Sequence, residues 1–265
     1  MNIKYYLLKI LSYFNVGITR FQSAKLERFL ERIKIYDCGH DLIRYGEKND
    51  GGYLVPDILS EVKFLFSAGV GTTVKFEDDI NKKYNIKTFF IDHSVDLDLS
   101  KYNFTKKKIN FFNDSDNKTL EKWINDCLVK EGKEASNNLM LKIDIESFEI
   151  ESFLTISEDL LKKFKIIVCE FHDFGGLKSD LGLKIYEIIF EKLLKYFYIC
   201  HIHPVNNCDK YSFRDKMIPH VMEFTFINKI SSKSLKKISY DLPHKNDSIS
   251  NTSYPEIILP KYFYK

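Results

Sequence analysis

Two stretches of this chain carry apolar runs straight into carboxylates and imidazoles. At 139–149, LMLKIDIESFE ends in Asp144, Glu146 and Glu149; at 166–174, IIVCEFHDF ends in Glu170, His172 and Asp173. A third run, FYICHIH, sets His201 and His203 two residues apart. Carboxylates with an imidazole suit Mg²⁺ or Mn²⁺ in an octahedral site. A cation held this way lowers the pKa of a bound hydroxyl and orients it for attack. A histidine titrating near neutral pH is equally suited to act as a general base. His172 is the leading base, with Asp144 and Glu146 beside it as catalytic candidates, and Asp144, Glu170 and His203 form the leading metal set. The plainer alternatives are that Glu146 caps the following helix, and that His201 and His203 mark only a polar strand face. Glu149 reads as a solvated or capping acid. A nucleophile is not favoured, because Ser147 lacks a G-x-S-x-G elbow and Cys169 lies inside a strand pattern.

These groups share an edge only if the runs before them are neighbouring strands. A strand buried on both faces reads as a near-continuous apolar run, which fits 62–68 (VKFLFSA), 86–91 (IKTFFI), 139–144, 166–171, 197–203 and 221–227. A third strand is expected at 108–112 (KINFF) and a short one at Tyr53–Val55, stopped by Pro56. Helical spacing of apolar residues predicts helices at 22–35, after Gly71, across 117–130, from about 148, and across 180–196. Strands alternating with helices argue for βαβ units and a parallel sheet, in which ligands gather at the carboxyl ends of the strands.

One such end is a glycine turn. FSAGVG (66–71) leads from a strand toward a helix, and Gly69 and Gly71 would let the backbone approach a ligand closely, with the helix N-terminus aimed at it. An ordinary tight turn is the competing reading. Asp92 follows at the end of the next strand, where an acid accepts hydrogen bonds from ribose hydroxyls. Thr73 and Val74 stand where a third glycine would complete a dinucleotide fingerprint. S-adenosylmethionine has no pyrophosphate and needs less of that fingerprint. Asp114, after the third expected strand, would then meet the adenine amino group, or serve only as a turn aspartate.

The bulk properties bound the problem more loosely. At 265 residues, 44% hydrophobic and 29% charged, the chain has room for one large α/β domain. A net charge of +3, from 40 basic and 37 acidic residues, gives no clustered basic face for nucleic acid. Five widely spaced cysteines without a CxxC argue against a disulfide framework or zinc knuckle and for a reducing, cytoplasmic setting. The N-terminal MNIKYYLLKILSYFNVG is interrupted by Lys4 and Lys9 and lacks a signal-peptide cleavage pattern, so stable membrane insertion is not expected. It reads as an amphipathic helix docking on the domain or on a second subunit to form a homodimer, ahead of peripheral membrane contact. The expected organisation is a helical segment at 1–43 and one catalytic domain at 44–265.

Taken in order, DGGYLVP (50–56), FSAGVGTTVKFEDDI (66–80), FFIDHSVD (89–96), LMLKIDIESFEIESF (139–153), IIVCEFHDF (166–174), HIHPVNN (201–207) and PEIIL (255–259) resemble the FkbM-like methyltransferases, which methylate hydroxyl groups using S-adenosylmethionine. The resemblance implies a Rossmann-like class I methyltransferase fold: an α/β, seven-stranded, mostly parallel sheet with helices on both faces and an antiparallel last strand. It places Gly69, Gly71 and Asp92 on the cofactor, and Ser67 and Glu77 belong to the same segment. It implies a sugar hydroxyl, on a nucleotide-linked or surface-glycan precursor, as acceptor. The family usually carries Glu-Gly after K-x-D, where this chain has Glu146-Ser147; Phe148 replaces a small residue, and Val205 is inserted after Pro204. The rivals are a metal-dependent hydrolase using the same carboxylates and histidines, which would leave the glycine turn and Asp92 unexplained, and a non-catalytic module retaining the cofactor fold.

Overall fold

Alternation along the apolar runs decides how this chain folds, because successive strand residues point to opposite faces of a sheet. In the computed structural model, which describes residues 6, 10, 11, 13, 23–95, 97–133, 136–213 and 216–265, helix α1 (Ser23–Arg32) precedes a hairpin of β1 (Leu42–Gly46) and β2 (Gly52–Pro56). Then follow β3 (Phe64–Ala68), α2 (Lys75–Tyr84), β4 (Lys87–Ile91), β5 (Asn103–Thr105), α3 (Leu120–Lys130), β6 (Leu139–Ile143), α4 (Glu149–Thr155) and α5 (Glu158–Leu161). The chain continues through β7 (Phe164–Phe171), α6 (Asp180–Tyr196), β8 (Phe197–Pro204), a second hairpin of β9 (Lys210–Phe213) and β10 (Lys216–Pro219), and β11 (Met222–Asn228).

Seven of these strands make one sheet in the order β8–β11–β7–β6–β3–β4–β5. Its neighbours pair in parallel except at β11, which runs antiparallel to both β7 and β8. This is the Rossmann-like methyltransferase architecture with its reversed last strand, as expected from the sequence.

The two faces differ in what covers them. Phe66, Leu141, Cys169 and Phe224 point toward α1, α3, α4 and α6, where Phe29, Trp123, Phe153 and Phe190 fill the larger core. Each fully buried aromatic of this kind contributes on the order of 2–3 kcal/mol. The opposite face carries Leu65, Met140, Ile166 and Val168 under α2 and the β1–β2 hairpin. Thr225 on β11 donates its hydroxyl to the Leu54 carbonyl at 2.8 Å, fastening the hairpin across the sheet. The same alternation then turns Ser67, Lys142, Glu170, Glu223 and His203 toward the hairpin side, so the apolar half of that face gives way to a polar half at the strands' carboxyl ends.

Two expectations change. The third sheet strand is Asn103–Thr105, not 108–112; Lys108–Ile109 pairs instead with Asn117–Lys118 in a separate two-residue ladder. Phe111 and Phe112, which made that run look buried, are half-exposed. The hairpin is also longer than the Tyr53–Val55 strand alone, because LIRYG pairs along it from Leu42–Pro56 to Gly46–Gly52. The expected N-terminal amphipathic helix falls mostly outside the described residues. Among these residues no helix is long and apolar enough to cross a membrane.

Candidate active site

The glycine turn stitches two strand ends together. Gly69 has φ +85°, and a Cβ there would sit 1.6 Å from the Asp144 carbonyl oxygen. Only glycine permits that approach, and the Asp144 N–H donates to the Ala68 carbonyl at 3.0 Å beside it. Gly71, at φ +64°, has nothing within 4 Å of an added Cβ and opens onto a cleft. The two glycines thus differ: Gly69 allows a close approach of two strand ends, and Gly71 leaves open space in the cleft lining.

Behind the turn, β6 turns Lys142 and Asp144 to the hairpin face. The buried Lys142 ammonium donates to the Gly69 carbonyl at 2.6 Å and to Asp144 Oδ2 at 3.3 Å. The Tyr53 hydroxyl, from the hairpin, donates to the same Oδ2 at 3.0 Å. Burial works against the Asp144 charge, but Lys142, His172 and the Tyr53 hydrogen bond outweigh it and hold this carboxyl below its ordinary value. Asp144 therefore presents Oδ1 as an ionised acceptor, with Oδ2 already committed.

At the end of β7, Glu170 and His172 complete the cluster. His172 Nε2 lies 3.4 Å from Glu170 Oε1, 3.5 Å from Glu146 Oε2 and 3.7 Å from Asp144 Oδ1. Its Nδ1 faces Glu149 Oε1 at 3.1 Å. Burial lowers the imidazole's affinity for a proton, but the Glu149 hydrogen bond and the charges of Glu149, Asp144 and Glu146 overcome it, raising His172 to about 9. The ring is thus protonated at neutral pH, which removes it from the role of free base expected for it. Glu170 is pushed the other way: burial, then Asp144, Glu223 and Asp50, raise its carboxyl well above the usual range. Its Oε2 is buried without a hydrogen-bond partner.

Glu149 is the residue the sequence hid. Expected as a solvated or capping acid, its side chain is 1% exposed, and its Oε1 also accepts the Ile145 N–H at 2.6 Å. That hydrogen bond folds 144–149 into a tight loop with Glu146 at φ +54° and Ser147 at φ +79°. Non-glycine residues held there cost roughly 1–3 kcal/mol each. The strain presents Glu146, 89% exposed, toward the cleft. The missed signal was the spacing itself: a loop of five residues brings Glu149 back under the strand end it follows.

Asp92 closes the other side. Its Oδ2 accepts the Val70 N–H at 2.9 Å, and its Oδ1 accepts Ser94 N–H at 2.7 Å, Ser94 Oγ at 2.9 Å and Val95 N–H at 3.0 Å. Burial works against its charge, but these donors outweigh it and keep the carboxyl below its ordinary value. Gly71, Asp92, Asp144, Glu146, Glu170 and His172 all line one cleft of about 470 Å³, within the range of small-ligand sites. Ile109 and Phe148 add an apolar wall, and Asp50, from the hairpin turn, adds a further acid that sequence reasoning had left out. A smaller cleft of about 260 Å³ shares Asp50, Gly71 and Asp144 and reaches Glu77.

Three expected site residues lie elsewhere. Asp114 spends its Oδ1 on the N–H groups of Asp116 and Asn117, both at 2.7 Å, and does not line the cleft, so it is a turn aspartate. Ser67 is fully buried and donates to Glu77 Oε1 at 2.5 Å; it holds Glu77 in place and does not face the cleft. His203 stands 3.4 Å from Glu223 Oε2, apart from Asp144 and Glu170. β11 inserts between β7 and β8, so His203 is two strand spacings, roughly 10 Å, from Glu170. Among the described residues, the three groups whose ligand atoms come within 4.8 Å of one another are Asp144, Glu170 and His172.

Compared with known proteins, the chain matches no protein-family model and no curated protein. Among solved structures it is similar to a Methanococcus jannaschii fibrillarin pre-rRNA processing protein, with a TM-score of 0.36 and 12% identity over 72% of this chain and 83% of that one.

Proposed function

We propose that this chain is an S-adenosylmethionine-dependent O-methyltransferase of the FkbM-like kind. In this reading it methylates a hydroxyl of a sugar, on a nucleotide-linked or surface-glycan precursor, with a divalent cation assisting at the carboxylate–histidine cluster and with 44–265 as the catalytic domain. The observation that supports it most is that a single cleft joins the open Gly71 turn, the fixed Asp92 carboxylate and the Asp144–His172 cluster.

The residues present fit S-adenosylmethionine. Asp92 is an ionised acceptor at the carboxyl end of β4, suited to ribose hydroxyls. Gly71 leaves the space a side chain would fill, and Ile109 and Phe148 offer apolar surface for a planar base. Asp50, Asp144, Glu146 and Glu170 give the cleft the negative lining that a sulfonium cation needs.

When bound, the cofactor would supply a methyl group carried on a sulfonium, whose sulfur would keep the electron pair of the carbon–sulfur bond. The chain's own residues position and deprotonate the acceptor, which is most of what an in-line displacement requires. Glu146, the cleft carboxylate most open to an entering substrate, takes the hydroxyl proton on Oε2. The Glu149–His172 pair fixes the wall beside it, and the Tyr53–Lys142 pair fixes Asp144. Carboxylates accept hydrogen bonds from neutral sugar hydroxyls and repel anions, so phosphates of a nucleotide-linked substrate stay away from the reacting end.

The reading is tested by calorimetric titration of the purified chain with S-adenosylmethionine, then by transfer of a labelled methyl group to a panel of nucleotide sugars. Micromolar binding, weakened roughly tenfold or more in Asp92→Ala by loss of a charged hydrogen-bond acceptor, is the expected result. Absence of binding at millimolar cofactor would remove the methyltransferase reading.

A further inference from the structure

We infer that Asp144, Glu170 and His172 form a binding site for a divalent first-row cation of the Mn²⁺ kind, with Glu149 holding the imidazole in its coordinating orientation. Each of the three residues offers one ligand atom, and these atoms lie within 4.8 Å of one another. Nε2 is 3.4 Å from the Glu170 oxygen and 3.7 Å from the Asp144 oxygen. An octahedral ion with bonds of roughly 2.1–2.3 Å separates neighbouring ligands by about 3 Å, so Nε2 is within about 1 Å of that spacing from both oxygens, and the two carboxylates must close from a separation of no more than 4.8 Å.

Glu170 carries the argument beyond a cluster of acids. Its side chain is 8% exposed, and its Oε2 is buried with no hydrogen-bond partner. A buried carboxylate left this way is costly unless a charge offsets it. Lys142, the nearby buried cation, has its ammonium on the Gly69 carbonyl and Asp144 Oδ2. Among the described residues the close cationic partner of Glu170 is then the His172 imidazole, 3.4 Å from Oε1, whose proton a bound cation would replace.

A cation binding here displaces the Nε2 proton of His172, as a metal ligand must be deprotonated, and the surrounding contacts leave the other coordinating positions open. Tyr53 and Lys142 occupy Asp144 Oδ2, sparing Oδ1. Glu149 occupies Nδ1 of His172, sparing Nε2. A carboxylate behind a ligating histidine sets its tautomer and ring angle, and its loss typically weakens metal binding by about 10–100-fold. One imidazole with two carboxylates is a mixed donor set; Mg²⁺ and Ca²⁺ favour oxygen alone, whereas Mn²⁺ and its neighbours accept the nitrogen. Three protein ligands leave three octahedral positions. Two adjacent ones match neighbouring hydroxyls of a sugar, and this last step rests on the methyltransferase reading while cation binding does not.

The test uses the full chain stripped with chelator and titrated with Mn²⁺, free ion being counted by its electron paramagnetic resonance signal. One Mn²⁺ per chain with micromolar affinity is expected, with ¹⁴N coupling from an imidazole in the bound-ion spectrum and Mg²⁺ binding at least roughly tenfold weaker. His172→Gln and Glu170→Gln should each weaken Mn²⁺ binding tenfold or more, and Glu149→Gln should weaken it while leaving the stoichiometry at one. No Mn²⁺ binding at millimolar concentration, or a bound ion without nitrogen coupling, would overturn the site without relying on any variant's folding. S-adenosylmethionine titrated into the same samples separates the two ideas. Cofactor binding without Mn²⁺ binding overturns this inference and the cation assistance proposed above but spares the methyltransferase reading, whereas Mn²⁺ binding without cofactor binding keeps this inference and removes that reading.

Discussion

Substituting alanine at the two turn glycines separates what each one does. At Gly69 the added Cβ would stand 1.6 Å from the Asp144 carbonyl oxygen, where contact distances are roughly twice that. The ends of β3 and β6 must part, which strains or breaks the Asp144 N–H to Ala68 bond at 3.0 Å and the Lys142 ammonium bond to the Gly69 carbonyl at 2.6 Å. A backbone hydrogen bond contributes about 1 kcal/mol, one to a charged group about 2, and the left-handed conformation costs alanine about 1 more. Gly69→Ala should therefore destabilise the fold by about 4 kcal/mol, lowering the melting temperature by roughly 8–16 °C for a chain of this size. Gly71→Ala meets no neighbour within 4 Å, so it bears only the conformational cost of about 1 kcal/mol. Its methyl group enters the cleft and should weaken S-adenosylmethionine binding tenfold or more at nearly unchanged stability. Urea denaturation gives the first quantity and calorimetric titration the second. A Gly69→Ala protein melting within 2 °C of the parent would refute the close approach of the two strand ends.

Other outcomes follow from single residues. Ser147→Gly relieves a residue held at φ +79° and should stabilise the fold by about 1 kcal/mol in urea denaturation; a loss of stability would mean that the serine side chain fastens the loop. Asn206 donates to the Asn251 and Tyr254 carbonyls at 2.8 and 3.0 Å and accepts the Asn251 N–H at 2.8 Å. Asn206→Ala should cost about 2–3 kcal/mol and expose 250–259 to limited proteolysis, and an unchanged digestion pattern would count against the tether. Asp247 lies 3.0 Å from His201 Nε2, both side chains being 3% exposed. Burial raises its carboxyl, but His201, His203 and the His244 N–H outweigh this and bring it below 3.8. A depressed folded-state value means that this stabilisation is present above the unfolded value and is lost as pH falls through the folded one. Asp247→Asn should thus cost roughly 3 kcal/mol at neutral pH and flatten the acid limb of stability between pH 4 and the folded value, as followed by urea denaturation across pH.

The sheet was readable because its strands are long apolar runs whose period and spacing leave few alternatives. β5 was not, since Asn103–Thr105 is three residues with one apolar side chain and joins the sheet only because β4 offers a free edge. The lining of the cleft was readable where it follows a strand end, as at Asp92, Asp144, Glu170 and His172. It was hidden where the chain doubles back or crosses over. Glu149 reaches His172 through a strained loop, Asp50 and Tyr53 arrive on a hairpin from far earlier in the chain, and His203 is displaced by a strand that comes last in sequence yet sits between two others. Each of these depends on a three-dimensional path rather than a local pattern, and two-residue alternation along β8 could not say which strand would be its neighbour.

The hairpin links fold stability to the chemistry proposed for the cleft. By crossing the sheet it buries Glu77, Glu170 and Glu223 around one fixed ammonium, that of Lys142, and brings the more exposed Asp50 near them. Burial raises the carboxyls of Asp50, Glu77 and Glu170, and the acids raise one another, while Lys142 acts against them. A face built this way favours any ligand that brings positive charge to the cleft, because such a ligand stabilises the ionised carboxylates that the fold alone holds at a cost. A sulfonium and a divalent cation are two such ligands, so their binding should be mutually sensitive. Each relieves the same carboxylates, and each also repels the other through a low-dielectric gap. The sign of that coupling is measurable: if relief by one leaves less for the other, Mn²⁺ should bind more weakly to the chain saturated with S-adenosylmethionine than to the chain saturated with its neutral thioether product. Equal Mn²⁺ affinity in the two complexes would mean that the cluster and the sulfonium do not share an electrostatic environment, and the cleft would then have to be read as two independent sites.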